Sequence, residues 1–151
     1  MLIRDAELAD RASVMSLYRQ LQPNDPVLPD GIASERYAQI LAADWLHLLV
    51  AEVDQAVRGT CYLNVIPNLT RGARSYAVIE NVVTEAASRS RGIGQALMGA
   101  ALDRAWHAGC YKVMLQTGRR RPETHQFYRR CGFSADDKQA FIAWRPDWQK
   151  P

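Results

Sequence analysis

The sequence lacks several features that would point to particular classes of protein. No apolar run approaches the ~20 residues of a membrane-spanning helix, and the N-terminus lacks the basic-then-apolar order of a signal peptide. The three cysteines are odd in number and do not have metal-site spacing, so we expect free thiols in a reducing cytoplasm and no metal. The net charge of +3 is small, which favours one anionic small ligand over a nucleic-acid backbone.

What is present is typical of a globular enzyme or binding domain. A length of 151 residues predicts a single domain over residues 1–151 with a core of its own. Hydrophobic residues at 48% and charged residues at 23% are ordinary for such a domain. Sixteen of the 19 basic residues are arginines, and the guanidinium group binds phosphate in a bidentate manner.

Hydrophobic periodicity predicts alternating strands and helices. We expect one helix to follow Asp10 as its N-cap and a second to follow Ser34, with a proline-rich loop before the second at 22–31. The other predicted helices lie at 93–109 and from Pro122 to Gly132. The predicted strands are 2–4, 47–52, 57–66, 75–84, 111–116 (buried on both faces) and 139–144. This order implies an α/β fold with a mixed central sheet and helices on both faces.

A glycine-bearing turn joins the predicted strand at 75–84 to the helix that begins at Ile93. Its sequence, R-S-R-G-I-G, puts Gly92 and Gly94 at the helix start, where unpaired N–H groups and the positive end of the helix dipole attract an anion. Arg89 and Arg91 add positive charge. We interpret the turn as a diphosphate cradle; a tight turn without a ligand, with solvated arginines, is the alternative.

Two other phosphate-binding motifs do not fit this turn. A dinucleotide fingerprint would need a third glycine where Leu97 stands, and an acidic residue about 20 positions on, where Met114 stands. The G-K-[ST] ending of a P-loop is also absent. A Rossmann or P-loop nucleotide site is therefore disfavoured.

Three segments resemble the GCN5-related N-acetyltransferase (GNAT) family. Residues 89–94 match its Q/R-x-x-G-x-G/A signature, residues 79–84 (I-E-N-V-V-T) match the strand before it, and residues 127–133 (F-Y-R-R-C-G-F) match its F-Y-x-x-x-G-F helix end. Their order and separations fit the family over nearly the whole chain. The resemblance implies the GNAT fold, in which strands splay apart at an acetyl-CoA slot.

The resemblance also implies which residues bind acetyl-CoA. In the family, the strand before the cradle carries a bulge, and its backbone hydrogen-bonds the pantetheine arm as an added strand would. The matching positions are Val82, Val83 and Thr84. The diphosphate is expected on the N–H groups of the cradle, whose residues are Arg89, Ser90, Arg91, Gly92, Ile93, Gly94 and Gln95.

Two side chains are implied to move protons. Tyr128 matches the family's tyrosine near the CoA sulfur, a general acid for the departing thiolate. Glu80, just before the bulge, is the best candidate base for a protonated amine, alone or through a water. Asn81 is either an acceptor contact or a bulge residue. The alternatives are a Tyr128 that only anchors its helix and a solvated Glu80.

One position departs from the family pattern. Many members carry a cofactor-binding asparagine seven residues before the tyrosine, and here that position is Arg121. The arginine run at 119–121 either binds phosphate in its place or is a solvated loop. We include Arg121 among the expected cofactor contacts and leave that choice open.

The resemblance implies acetyl transfer from acetyl-CoA to a primary amine by direct attack in a ternary complex. No cysteine occupies a motif position that suggests a covalent acyl-enzyme. Residues 79–83 and 110–113 are similar to the glucosamine-6-phosphate N-acetyltransferases, which carry an aspartate where this chain has Asn81. An aminosugar phosphate, another small amine and a protein lysine all stay open as acceptors.

Two other classes of function are weaker. A CoA-binding sensor without catalysis would not need Glu80 and Tyr128. A nucleic-acid binder would rest on the arginines at 119–121, which lack the interleaved aromatics of a stacking platform. Homodimers are common in the resembled family, but no segment of the sequence identifies an interface.

Overall fold

In the computed structural model, which describes residues 1–148, five strands form one mixed sheet. They are β1 (Leu2–Asp5), β2 (Leu46–Val53), β3 (Ala56–Ile66), β4 (Tyr76–Thr84) and β5 (Val113–Leu115). They lie side by side in chain order. The first four pair antiparallel, and β4 pairs with β5 in parallel. The predicted mixed sheet is thus confirmed.

The chain divides into two compact units, Met1–Leu115 and Gln116–Pro151. The first contains the whole sheet and the helices α1 (Arg11–Leu21), α2 (Asp30–Leu41), α3 (Thr70–Ala73) and α4 (Ile93–His107). Of these, α3 is only a short turn, because Arg71 and Gly72 have non-helical backbone angles. The second unit contains α5 (Pro122–Arg130). Among the described residues, no helix is both long and apolar enough to cross a membrane.

Helices cover both faces of the sheet in the first unit. This is required because β2 and β3 have buried residues that point to each face. On one face, the Cys61 Sγ atom donates a weak hydrogen bond to the α4 carbonyl of Leu97 at 3.9 Å. On the other face, Leu48 and Val50 form a buried cluster with Val14 of α1 and Tyr37 of α2. Side chains alternate between faces along a strand, so the two helical layers receive alternate residues.

The predicted start of the second helix is wrong, and the first helix starts where predicted without the expected side-chain cap. Ser34 does not cap α2, which begins four residues earlier at Asp30, after Pro29. Asp10 precedes α1 as predicted, but its side chain does not cap that helix. Instead its carboxylate accepts hydrogen bonds from Arg4 and from the Glu7 N–H, at 2.6 and 2.8 Å. Arg4 lies on β1, six residues before Asp10, so this ion pair and not a helix cap uses the Asp10 carboxylate.

Two predicted strands are also wrong in part or in whole. Strand β5 covers only Val113–Leu115, and all three residues are half-buried instead of buried on both faces. Residues 139–144 form no strand, and Phe141, Ile142 and Trp144 are 86%, 58% and 51% exposed. Their apolar composition suits a strand, but a strand also needs a hydrogen-bonding neighbour. Among residues 1–148 no strand pairs with this segment.

Candidate active site

Strand β4 contains a bulge at Asn81. Thr60 of β3 pairs with Val83, and Tyr62 pairs with Glu80, so two steps along β3 correspond to three along β4. The extra residue lies at Asn81, whose φ of 53° is in the left-handed region. Asparagine tolerates that region better than most residues. Of the two roles considered for Asn81, the bulge residue is therefore observed.

Beyond the bulge, β4 leaves its parallel neighbour. Strand β5 pairs only with Ala77, Val78 and Ile79 of β4. Within the unit Met1–Leu115, residues 80–84 therefore keep β3 on one side and have no strand on the other. Outward backbone N–H and C=O groups at an edge of this kind can bind an extended ligand as an added strand. This is the splayed geometry that the sequence resemblance implies.

The helix start that follows has the geometry of an anion cradle. Gly92 is the N-cap of α4, with φ 78°, and Ser90 has φ 61°. The Ala96 N–H donates to the Gly92 carbonyl at 3.0 Å, closing the first turn of the helix. The N–H groups of Ile93, Gly94 and Gln95 therefore point out of its N-terminus, where the helix dipole favours an anion. Around them Arg89, Ser90, Arg91 and Gly92 are exposed.

Glu85 holds the segment between the bulge and the cradle. Its carboxylate accepts hydrogen bonds from the Arg58 guanidinium and the Ser88 hydroxyl, each at 2.8 Å. These bonds, first of all the one from Ser88, lower the pKa of Glu85 below the usual glutamate value. The Arg89 Nε atom also donates a long bond, 3.4 Å, to the Thr84 carbonyl. The cradle is thus tied back to the end of β4.

Gly59 lets α4 approach the sheet closely. A Cβ atom at this position would lie 3.0 Å from Ile93 and from Leu97, and 3.1 Å from the Val83 carbonyl oxygen. A side chain at this position would therefore force Ile93, Leu97 or the end of β4 to shift by a few tenths of an ångström. Sequence reasoning missed Gly59 because an isolated glycine in a strand pattern does not indicate which helix packs against it.

Glu80 lies on the face of the sheet that α1 covers. It is the cross-strand partner of Tyr62, which packs against the cluster formed by α1 and α2. Glu80 as a residue is exposed, yet the surrounding protein partly removes its carboxyl from water. This desolvation raises its pKa above the usual value, which suits a group that must accept a proton near neutral pH.

Tyr18 of α1 lies beneath the sheet near Glu80, and sequence reasoning did not single it out. Burial raises the pKa of its phenol well above the usual range, and the Asn81 side chain offsets part of that rise. Its ring packs against the buried cluster on the α1 face, as does that of Tyr62. In the sequence it is only one apolar position of an amphipathic helix.

The second unit contains the other two predicted site residues. Tyr128 is half-buried on α5, with its ring in edge contact with Phe127 and Phe133 at centroid distances of 5.1 and 6.3 Å. Arg121 is the N-cap of α5 and is exposed. Gly132, with φ 89°, ends the helix. The predicted Pro-to-Gly bounds of this helix are confirmed.

Cysteine and metal chemistry have little support in the described residues. Cys61 is fully buried, and burial raises its pKa to about 12, so its reactive thiolate is scarce at neutral pH. Burial also raises the pKa values of Cys110 and Cys131. Among residues 1–148, no cluster of three or more His, Cys, Asp or Glu side chains could hold a metal ion.

Known proteins are similar to this chain in sequence. Residues 13–133 match the model of the acetyltransferase (GNAT) family. Glucosamine 6-phosphate N-acetyltransferase 1 of Oryza sativa subsp. japonica is 30% identical over 135 residues, covering 87% of this chain and 79% of that protein.

Solved structures agree with the family match. A "putative acetyltransferase" from Agrobacterium tumefaciens str. C58 has 41% identity and a TM-score of 0.92, covering 96% of this chain and all of that one. Glucosamine-6-phosphate N-acetyltransferase from Arabidopsis thaliana has the same fold, with 24% identity, a TM-score of 0.83 and coverage of 97% and 98%. The chain therefore belongs to the GNAT family of acetyltransferases.

Proposed function

We propose that this acetyltransferase transfers the acetyl group of acetyl-CoA to the primary amine of a small molecule by direct attack in a ternary complex. One observation carries the proposal: the unpaired, bulged end of β4 leads through a short anchored turn into the open N-terminus of α4. The edge of β4 offers strand-like hydrogen bonds, and the start of α4 offers an anion site directly after it along the chain. These two sites suit a ligand in which an amide-containing arm is joined to a diphosphate. Because the family model extends from residue 13 to 133, we treat residues 1–151 as one catalytic domain.

The donor would be held mainly by backbone groups. Residues 82–84 would bind the pantetheine amides along the open edge of β4, and the N–H groups of residues 89–95 would bind the diphosphate. Arg89 and Arg91 supply exposed positive charge beside those N–H groups. Arg121 is a further proposed phosphate contact, carried by the second unit.

The proton transfers would use two side chains. Glu80, with its raised pKa, would accept the proton of the ammonium group, directly or through a water, and Asn81 beside it would contact the acceptor. Tyr128 would give a proton or a hydrogen bond to the departing thiolate. A backbone N–H near Asn81 would polarise the thioester carbonyl. Most of the rate enhancement would come from holding the amine and the thioester in line.

An aminosugar phosphate is the acceptor that we propose first. The rice and Arabidopsis relatives are named for acetylating glucosamine 6-phosphate. Exposed arginines at positions 119, 120 and 121 are suited to bind a phosphate. By the sequence resemblance, glucosamine-6-phosphate N-acetyltransferases carry an aspartate where this chain has Asn81, so the acceptor has to be tested directly.

Binding of the donor is tested by thermal shift. A ligand at 100 times its Kd stabilises a fold by ~2.7 kcal/mol, which raises the melting temperature by several degrees. We expect that shift with acetyl-CoA and with CoA, and a much smaller one with ATP as a matched control. No shift with millimolar acetyl-CoA would contradict the proposal.

Turnover is tested by release of free thiol with a panel of amines. Glucosamine 6-phosphate is expected to give the highest kcat/KM. Comparison with glucosamine measures the contribution of the phosphate, and comparison with a lysine peptide measures the contribution of the sugar. Turnover with glucosamine alone would assign a different small-amine acceptor. Binding of acetyl-CoA without turnover of any amine would favour the alternative of a CoA-binding module without catalysis.

A further inference from the structure

The exposed part of the diphosphate cradle lies between two buried residues. Ser88 before it and Ile93 after it are 4% and 2% exposed, whereas the four residues between them, 89–92, are all exposed. Two of those four have a positive φ, Ser90 at 61° and Gly92 at 78°. Because exposed residues receive little support from packing, the positions of the two buried ends set the shape of the cradle.

Both ends of the cradle contact consecutive residues of β3. At the far end, Ile93 and Leu97 of α4 lie against Gly59, where an added Cβ atom would meet each at 3.0 Å. At the near end, Glu85 continues the pairing of β4 with β3, because its N–H donates to the Arg58 carbonyl at 2.8 Å. Arg58 and Gly59 therefore fix the two ends of the cradle relative to each other.

Side-chain contacts connect Arg58 to the near end of the cradle. The Arg58 Nη1 atom donates to both carboxylate oxygens of Glu85 at 2.8 Å. The same carboxylate accepts a hydrogen bond from the Ser88 hydroxyl at 2.8 Å, and the Ser88 N–H donates to the Glu85 carbonyl at 2.9 Å. The buried Ser88 side chain thus has its partner in a carboxylate that Arg58 holds. A change at Arg58 would therefore reach the residue directly before Arg89.

The ion pair between Arg58 and Glu85 differs from an ordinary surface pair. The two side chains are 37% and 25% exposed, and Gln20 of α1 binds the next residue, since its Oε1 atom accepts a hydrogen bond from the Ala86 N–H at 2.9 Å. The main-chain bond between Arg58 and Glu85 already holds the two residues together, so the ion pair forms at little further cost in conformational entropy.

We propose that Arg58 and Glu85 are positioning residues for the diphosphate of acetyl-CoA, which they serve by fixing Ser88 and with it the near end of the cradle. The inference rests on the proposed function, because it assumes that the diphosphate binds the N–H groups of residues 89–95. The ion pair acts on donor affinity, and only for donors that carry the diphosphate. It takes no part in the acetyl transfer step itself.

The test compares two acetyl donors by steady-state kinetics. Acetyl-CoA carries the diphosphate, and S-acetylpantetheine carries the same thioester and amides without it. Arg58→Gln and Glu85→Gln are each expected to raise the KM for acetyl-CoA about fivefold, as for a partly exposed charge-assisted contact, and to leave kcat within about twofold. With S-acetylpantetheine, kcat/KM should stay within about twofold of the wild-type value. An equal loss with both donors would overturn the proposal.

Arg104→Gln is the matched control. The Arg104 Nη1 atom also donates to both oxygens of one carboxylate, that of Asp5, at 2.5 and 2.7 Å, and its side chain is 35% exposed. This pair joins α4 to β1 and does not include the turn at 85–88. We expect Arg104→Gln to leave the KM for either donor within about twofold. A rise in the KM for acetyl-CoA equal to that of Arg58→Gln would overturn the proposal.

The double variant Arg58→Gln/Glu85→Gln tests whether the two residues act as a pair. If they act through one contact, the KM of the double variant for acetyl-CoA should be no higher than that of either single variant. A double effect equal to the product of the two single effects would overturn the proposal. So would an unchanged KM in Arg58→Gln.

Calorimetric titration keeps this test separate from acetyl transfer. CoA and pantetheine are titrated into the full-length wild type and Arg58→Gln, and only the Kd for CoA is expected to rise in the variant, about fivefold. If the wild type binds CoA but acetylates no amine, the proposed function fails while the titrations still decide the role of Arg58. Equal Kd values for CoA in the two proteins would reject that role whether or not the enzyme is active.

Discussion

The two regions that carry the proposed site residues are built differently. From Tyr76 to His107, in the first unit, the ligand-facing groups are mostly backbone N–H and C=O groups held by buried neighbours: Ile93 and Leu97 are 2% and 0% exposed. From Pro122 to Phe133, in the second unit, the candidate groups are side chains on a nine-residue helix that buries none of its residues.

Because one region offers backbone groups and the other offers side chains, we expect the two regions to contribute to catalysis in different ways. Backbone donors cannot be deleted by changing a side chain, so the first region should be sensitive mainly to changes that move α4 or β4. Side chains of the second region can be removed singly, so changes there should act on chemistry and leave stability nearly untouched. The predictions below test this contrast, starting with the largest expected effect.

Gly59→Ala is expected to destabilise the first region. The added Cβ atom meets Ile93, Leu97 and the Val83 carbonyl at 3.0 to 3.1 Å, an overpacking that should lower the free energy of unfolding by about 2 kcal/mol and weaken acetyl-CoA binding. The matched control is Gly99→Ala on α4, where a Cβ atom meets nothing within 4 Å and alanine should stabilise by up to about 1 kcal/mol. Urea denaturation measures both; equal effects would refute the close approach.

Tyr128→Phe is expected to lower kcat about 20-fold, because the thiolate would depart without its acid. The variant should still fold, since the ring contacts with Phe127 and Phe133 are retained. Kinetics and thermal melting on the same sample measure the two effects. A normal kcat would remove Tyr128 from the mechanism, and a large loss of stability would make its role structural.

Glu80→Gln and Glu85→Gln should have opposite effects on stability. The pKa of Glu80 is raised, so its contribution to stability is present below the unfolded pKa and is lost as pH rises through the folded value. Glu80→Gln should therefore raise stability at pH 7. The pKa of Glu85 is lowered, so its contribution is present above the unfolded pKa and is lost as pH falls through the folded value, and Glu85→Gln should lower stability at pH 7.

The same two variants test whether Glu80 is the general base of the reaction. Glu80→Gln should lower kcat about tenfold and remove the acidic limb of the pH profile, whereas Glu85→Gln should retain that limb. Chemical denaturation between pH 4 and 8 and kinetics over the same range provide both readouts. An acidic limb that survives in Glu80→Gln would assign the base to another group.

Arg121→Ala should have the smallest effect. Loss of one exposed phosphate contact is expected to raise the KM for acetyl-CoA about threefold, in line with the small energies of surface charge pairs, and the effect should shrink at high salt. The control is Arg145→Ala, another exposed arginine of the second unit, which pairs with Asp147 at 2.6 Å. An equal KM change in both variants would make Arg121 part of a solvated loop.

Much of the first region could be predicted because its signals are local. A run of β-branched residues predicts β4. Gly92 and the apolar spacing of Ile93, Leu97 and Ala101 predict the start and the buried face of α4. The family signature covers these same residues. In the second region, Pro122 and Gly132 mark the bounds of α5 by the same kind of local chemistry.

What the sequence by itself determined, then, is where α4 and α5 begin and which turn could hold a diphosphate. Only the tertiary structure decided the close approach at Gly59, the raised pKa of Tyr18 and the raised pKa of Glu80. It also decided that residues 139–144, which have the composition of a strand, do not form one. The physical reason is common to all four: each depends on a neighbour distant in the chain, and a neighbour is set by strand register and helix packing, which leave no mark at the residue itself.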